Sequence, residues 1–570
     1  ELDKLAGADS ELDAPEAARM TGKTAGERFA RAASHLPNLA LVSMGTLAAL
    51  YGLLTLILIT LVNLEMLGSG AALLIGVGFA LLQFLLSPYI MDFSLRWFYR
   101  LTWTPPNRLP LHLKIGIERI TGAHKMKMPR IGIIDDGAPN AFTYGHTPNN
   151  ARIVITRGLL TLLSDEEAEA VVAHEIGHAV HWDMLFMTMA YLVPLLLYYL
   201  FRVLVEMSRG RGNSRGKGFA AAMAAASYVL YIVAQYIVLW LSRLREYYAD
   251  RFAGDQTSPR ALASALVKIG YGLAGARPEQ KREGSRPRPR LEAVKALGVF
   301  DSTGAHALAV AGAGARAGRG GFSIADLKDA MKWDLWNPWA MYYELHSTHP
   351  LIAKRLSALG RQAEARGEEP LVRFDEQRPE SYWDEFFVDM AVRMLPWLCL
   401  IGGFFAAMAA RDFQLFKVGV LGFGLFGLLR LRFAYPTRAF PDFSVSGLLK
   451  KIKVSAVRAV PCTIQGRVIG RGVPGLIWSE DFILRDDTGI IFLDYRQPLR
   501  ILDWLFGLLR AGRYQDQEVT VTGWYRRAPV PSIEIYRIRS RDAKSRSWVY
   551  PLKRAFTWLV VLGAVVWLWV

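Results

Sequence analysis

Apolar residues in this chain are clumped rather than spread. Leu39–Val62, "LALVSMGTLAALYGLLTLILITLV", and Ala71–Ile90 are each long enough to cross a bilayer, which takes about 20 apolar residues. Phe219–Leu241 is a third such run. Met184–Phe201 is shorter and holds Pro194, so a kink or a partial crossing is expected there. Met394–Ala410 and Phe413–Leu429 form a tight pair around Arg411-Asp412, and Ala555–Val570 is a last apolar run, giving up to seven spans.

Between the spans the patterns change. "PRIGIIDDGAPNAFTYG" and "ARIVITRGLL" read as strands around turn residues. Ser164 with Glu167 makes a capping box that starts a helix running through His178 toward the membrane. "LSRLREYYADRFAGDQTSPRALASALVKIGYGL" is helical with a break at Gly254–Pro259. "ARPEQKREGSRPRPR" and "HALAVAGAGARAGRGG" have the composition of a mobile insertion. From about Ser444 to Arg541 the order is β-β-β-α-β-β, that of an OB-type barrel, with "LRILDWLFGLLRAG" as its amphipathic helix.

The expected architecture is a multi-pass α-helical membrane protein with an α/β domain and a C-terminal all-β OB-like barrel. Residues 1–37 form a mobile tail, 38–90 a transmembrane hairpin, and 91–359 the α/β domain. That domain holds a membrane hairpin at 184–241 and the insertion at about 277–321. A linker (360–393), a second transmembrane hairpin (394–430), the barrel (441–551) and a membrane segment (555–570) follow.

Composition matters chiefly through charge. The formal net charge is +17, but Lys and Arg beside spans set topology and meet anionic headgroups. Leu64–Gly70 has no Lys or Arg, whereas Arg28, Arg31, Arg96 and Arg100 flank the first two spans, which puts both flanks in the cytoplasm. "SRGRGNSRGKG", Ser208–Gly218, carries four basic residues on the opposite side. Either its hairpin is shallow or it breaks the rule. Trp478, Tyr495, Trp524 and Tyr525 stand among the basic residues of the barrel. A nucleic-acid role is nevertheless not expected, because that domain is tied to the bilayer at both ends. The two cysteines, Cys399 and Cys462, exclude a disulfide framework. No cleavable signal peptide is expected at Glu1–Lys23.

The chemistry is concentrated in "VVAHEIGHAVHWDML", Val171–Leu185. On a helix His174 and His178 lie one turn apart on one face, so both rings can reach one metal ion. Glu175, offset by about 100°, can take the proton of a water that the metal has made acidic. Catalytic zinc takes three protein ligands, and "LREYYADR" offers Glu246 as the third, with Asp250 one turn on to orient a ligating histidine. Two apolar segments separate His178 from Glu246, so a hairpin returns Glu246 to the side it left. Asp183 can pair with Arg245 or cap polar groups where the helix meets the bilayer.

"VVAHEIGHAVHWD", "SRLREYYADR", "STHPLIAKRL" and the upstream "NAFTYG…ARIVITRGLLTLLSDEEAEAVVAHE" together resemble the HtpX and CAAX prenyl endopeptidase family of membrane zinc metallopeptidases. The resemblance covers about Met91–Leu359 without the insertion. It implies that residues 91–359 form an α/β zincin-like metalloprotease domain with one Zn2+ per chain held by His174, His178 and Glu246, Glu175 as general base and acid, and Asp250 behind the ligands. It places Asn140, Ala141 and Phe142 on an edge strand that pairs with an extended substrate. His349 and Arg355 would lie near the cleft and hold the oxyanion. His181 and His346 match no ligand position. The extra span pair and the barrel depart from the HtpX pattern, and the large helical chamber of the prenyl endopeptidases has no counterpart here.

The expected activity is zinc-dependent hydrolysis of peptide bonds in membrane or unfolded proteins, for quality control, at the cytoplasmic face of the cytoplasmic (inner) membrane. The rivals are dedicated processing of lipid-modified C-terminal peptides and a membrane scaffold acting through its barrel.

Overall fold

The computed structural model describes residues 69–570 except 136–138, 211–213, 276–323, 375–379, 472–480, 489 and 529. The expected tail, the Leu39–Val62 span and the insertion lie outside the described residues.

Helix α1 (Ser69–Tyr99) contains the expected second span and continues beyond it. Near its end Asp92 accepts from the Tyr144 hydroxyl (2.7 Å) and from Arg152 Nε (3.0 Å), which docks α1 on a small sheet. That sheet comprises β1 (Thr102–Thr104), then, after α2 (Leu111–Ala123), β2 (Arg130–Ile134), β3 (Ala141–Tyr144) and β4 (Arg152–Thr156). Its order is β1-β2-β4-β3, with β2 and β4 parallel and the other pairs antiparallel. β3 is therefore an edge.

After the short α3 (Arg157–Leu162) comes α4 (Asp165–Val180). Ser164 Oγ accepts from Glu167 N while the Glu167 carboxylate accepts from Ser164 N, closing the capping box. Glu167 is tied further to Lys268 and Ser264. Burial raises its pKa, but those two bonds and the Ser164 amide outweigh burial and hold it below the usual carboxylate value. α4 is buried along most of its length, from Ala168 to Ala179.

Two long helices follow, α5 (Asp183–Arg209) with Pro194 inside it, and α6 (Ser214–Gln256). The chain breaks before α7 (Pro259–Gly275), as the proline requires. Then come α8 (Ile324–Trp336), α9 (Pro338–Leu345) and α10 (Ile352–Ala365), and the hairpin α11 (Trp383–Ala410) and α12 (Gln414–Ala434). The two arms of that hairpin approach closely at Gly403 and Gly419, where an added Cβ on Gly403 would stand 2.7 Å from the other glycine's Cα.

The C-terminal region holds α13 (Val445–Leu449), β5 (Val460–Arg471), β6 (Phe482–Arg485), β7 (Ile490–Asp494), α14 (Arg500–Leu509), β8 (Glu518–Ala528), β9 (Val530–Ser540), β10 (Lys544–Arg546) and α15 (Val549–Trp569). β5 pairs with β6 and β6 with β7, β7 runs parallel to β9, and β8 pairs with both β9 and β5. The five strands β5 to β9 thus close into a barrel. Among the described residues five helices, α5, α6, α11, α12 and α15, are long and apolar enough to cross a membrane.

Buried polar contacts fasten the barrel to the helices. Arg527 of β8 donates to Ala330 O (2.9 Å), Leu449 O (3.2 Å) and Asp334 (3.3 Å) while lying over the Trp333 ring. Trp333 Nε1 donates to Val454 O (2.9 Å). Asp389 of α11 accepts from Ser455 Oγ (2.7 Å) and Arg458 Nε (2.9 Å).

Candidate active site

The Nε2 atoms of His174 and His178 face each other at 3.1 Å. Glu246 of α6 reaches both, with Oε2 3.7 Å from His174 Nε2 and Oε1 3.6 Å from His178 Nε2. Gly177 makes this approach of α4 to α6 feasible. A Cβ there would lie 3.0 Å from Phe252 and 3.3 Å from the Ala249 Cα.

Each histidine is held from behind by a carboxylate. His174 Nδ1 lies 3.0 Å from Asp250 Oδ1, and His178 Nδ1 lies 2.7 Å from Asp183 Oδ2. With the proton on the nitrogen that faces the carboxylate, both Nε2 atoms would present lone pairs. Two such lone pairs at that separation, with a Glu246 oxygen within 3.7 Å of each, suit a shared cation. Tetrahedral zinc with bonds of about 2.0–2.2 Å has ligand edges of about 3.3–3.6 Å, and the three contacts bracket that range. The residues fit a metal ion.

Asp183 is the partner that local pattern does not reveal. The helix expected to run on from His178 is two helices. α4 ends at Val180, Trp182 turns into the left-handed region at φ 60°, and α5 starts at Asp183. That turn aims Asp183 back at His178, while its other oxygen contacts Arg245 Nη2. Asp183→Asn is expected to lower metal affinity about 10–100-fold. Zinc content measured across a chelator titration checks this, and an unchanged midpoint would relieve Asp183 of the role.

Arg355 takes a position different from the expected one. It is 1% exposed and forks onto Asp250, Nε to Oδ2 at 2.8 Å and Nη2 to Oδ1 at 2.6 Å, with Nη1 3.4 Å from Glu246 Oε2. Burial disfavours its charge, but Asp250 and then Glu246 raise its pKa above the ordinary value. A guanidinium so enclosed orients the carboxylates and does not line a cleft.

His349 Nε2 lies 3.5 Å from Glu246 Oε1, beside the candidate ligand atoms. Its loop is held by a residue missed at the sequence level. Arg243, one turn before Glu246, donates through Nη1 to Glu344 O (2.7 Å) and Ser347 O (2.8 Å), closing the end of α9. The signal was present in "SRLREYYADR" but looks like any basic residue at a span end.

Glu175 is 2% exposed, and its carbonyl accepts from Thr143 Oγ1 (3.0 Å), which ties α4 to the edge strand β3. Ala141 and Phe142 lie on β3 with buried side chains, and Asn140 precedes it, its amide donating to Thr156 Oγ1 (2.8 Å). What this strand can present is main chain. His181, at the end of α4, packs on Tyr248 and Phe252; burial and then Arg245 hold its pKa below the usual value, so it stays neutral. His346 contacts Tyr236 (2.9 Å).

Residues 112–363 match peptidase family M48. A "Protease HtpX homolog" of Methanothermobacter thermautotrophicus is 38% identical over 227 residues, 39% of this chain and 81% of the relative. The chain belongs to peptidase family M48. A second HtpX homologue, from Aeropyrum pernix, is 31% identical over 312 residues, 53% of this chain and 89% of the relative. A crystal structure of S. mikatae Ste24p covers 56% of this chain and 65% of its own at 18% identity, with a TM-score of 0.33, a likeness too slight to build on. M48 membership, together with the apolar helices, makes this an integral membrane metalloendopeptidase.

Proposed function

We propose that this M48 peptidase uses one Zn2+, held by His174, His178 and Glu246, to hydrolyse peptide bonds of membrane or unfolded proteins in quality control. The observation that carries this is the convergence of the three donors with both Nδ1 atoms engaged by carboxylates. Bound there, zinc would act as a Lewis acid on the scissile carbonyl and lower the pKa of water to about 7.

The chain supplies the rest. Glu175 accepts a proton from the attacking water and delivers it to the leaving amine. An extended substrate adds to the main chain of β3 around Asn140, Ala141 and Phe142, a mode in which backbone bonds give affinity with little sequence preference. His349 stands where its Nε2 can meet the oxyanion, and Arg243 keeps it there. Asp250, Asp183 and Arg355 fix the ligands.

The protease region is of the zincin-like α/β type, with α4 against a sheet whose edge strand lies beside the site. The barrel is of the OB type, supported by its single parallel pair, β7 with β9, and by a helix between the third and fourth strands. The site faces the cytoplasm of the cytoplasmic (inner) membrane, which the Arg96 and Arg100 end of α1 supports. In this reading the protease domain runs from 91 to 359, ahead of the 394–430 hairpin and the 441–551 barrel.

The test pairs metal content with cleavage. The purified chain should hold close to one zinc per chain and cut an unfolded membrane protein, and Glu246→Ala should lose most of the metal. Full zinc retention in Glu246→Ala would move the third ligand elsewhere. Preferential cleavage of a prenylated peptide would replace quality control by dedicated processing.

A further inference from the structure

The barrel carries a helix whose apolar side points away from the protein. α14 packs inward through Asp503, Phe506 and Gly507, one stripe of the helix. The Asp503 carboxylate accepts from the Gln497 amide, and Phe506 stacks on Tyr495 with ring centroids 3.7 Å apart. The opposite side is apolar and exposed, namely Ile501, Leu502, Trp504, Leu505, Leu508 and Leu509, with Ile501 at 62% and Leu509 at 66%. A patch of this kind on a folded domain marks an interaction surface.

Position identifies what covers it. The residues leading into α14 are bonded to the point where the chain enters the membrane through α15. Ser547 Oγ donates to Arg496 O (2.6 Å), Trp548 N to Gln497 Oε1 (3.2 Å), and Gln497 Nε2 to Arg546 O (2.8 Å). α15 begins at the next residue, Val549, and its first turns expose Leu552 and Phe556. Trp548 is itself exposed, at the level where Trp marks membrane–water interfaces.

Charge points the same way. Arg500, Arg510 and Arg513 are exposed around the ends of the helix. An apolar face with Trp and Leu, rimmed by Arg, is the composition of a helix lying in a bilayer interface over anionic headgroups.

We propose that α14 lies in the plane of the membrane interface, its Ile501–Leu509 face among the acyl chains and Arg500, Arg510 and Arg513 on anionic lipid headgroups. The barrel then rests on the bilayer at a third point beside α12 and α15. Through Arg527 and Trp333 it holds α8, which leads to the His349 loop, at a set height above the lipid. This inference concerns the barrel and stands whether or not the zinc mechanism is correct.

The test uses the full chain with Cys399→Ala and Cys462→Ala, reconstituted in liposomes containing phosphatidylglycerol. Spin labels are placed singly through Leu505→Cys, Leu508→Cys and, as an aqueous reference, Asp542→Cys. Collision with oxygen should exceed collision with a nickel chelate several-fold at 505 and 508, and the order should reverse at 542. Nickel-dominated contact at 505 and 508 overturns the proposal. Exclusion of both reagents there overturns it too, since a protein partner or a second copy would then cover the face. A second measurement keeps the natural cysteines: Trp504→Phe should reduce the fraction of tryptophan emission quenched by brominated lipid, and an unchanged fraction counts against membrane contact.

Discussion

Glu175→Gln will leave the protein folded and metal-loaded while slowing peptide-bond cleavage by about 10²–10⁴-fold. Glutamine matches glutamate in shape, so a side chain only 2% exposed on α4 keeps its packing. The Thr143 bond to the residue 175 carbonyl, which joins the helix to the edge strand, uses main chain and survives the change. What disappears is the ability to take a proton and return it. The measurement is cleavage of an unfolded membrane protein by the purified variant, with zinc content determined on the same sample. Equal rates in the two proteins would remove Glu175 from the reaction. Loss of metal together with rate would recast it as a structural residue.

Arg355→Ala should destabilise the protease region by about 3–5 kcal/mol. The guanidinium neutralises Asp250, which is 2% exposed, and stands 3.4 Å from Glu246. Removing it strands a buried carboxylate that also orients His174. Arg355→Lys should recover only part of the loss, because a single ammonium cannot reproduce the two-pronged contact. Asp250→Asn added to Arg355→Ala should restore stability by removing the unpaired charge, without restoring zinc affinity. Thermal midpoints in detergent, read beside metal content, separate these effects. An unchanged midpoint in Arg355→Ala would show that Asp250 is neutralised by some other group.

Much of the site was legible because a helix imposes its own spacing. His174 with His178, and Glu246 with Asp250, each sit one turn apart, so each pair had to share a face wherever the helices lay. The even number of apolar runs between them then predicted their meeting, and the structure brings all four together. The barrel's strand order was legible for the same kind of reason, since alternation and turn residues act locally. Arg355 was not legible. "THPLIAKR" places it on a helix, but whether it turns to a cleft or into the core depends on α6, which lies about 105 residues earlier. Asp183 was legible in part: its pairing with Arg245 was expected and is found, but its contact with His178 was not, because the left-handed Trp182 interrupts a run that reads as one continuous helix.

The sequence by itself determined the membrane character, the two halves of the candidate metal site and the class of reaction, because these rest on hydrophobic length, helical period and residue chemistry. Asp250 was expected behind a ligating histidine, but only the tertiary structure decided which one. It assigned Asp250 to His174, Asp183 to His178, Arg355 to Asp250, and Arg243 to the His349 loop. It also set the barrel against α8 through Arg527 and left the apolar side of α14 exposed beside the start of α15. A buried charge takes whichever partner the packing of distant helices delivers, and no local pattern encodes that choice.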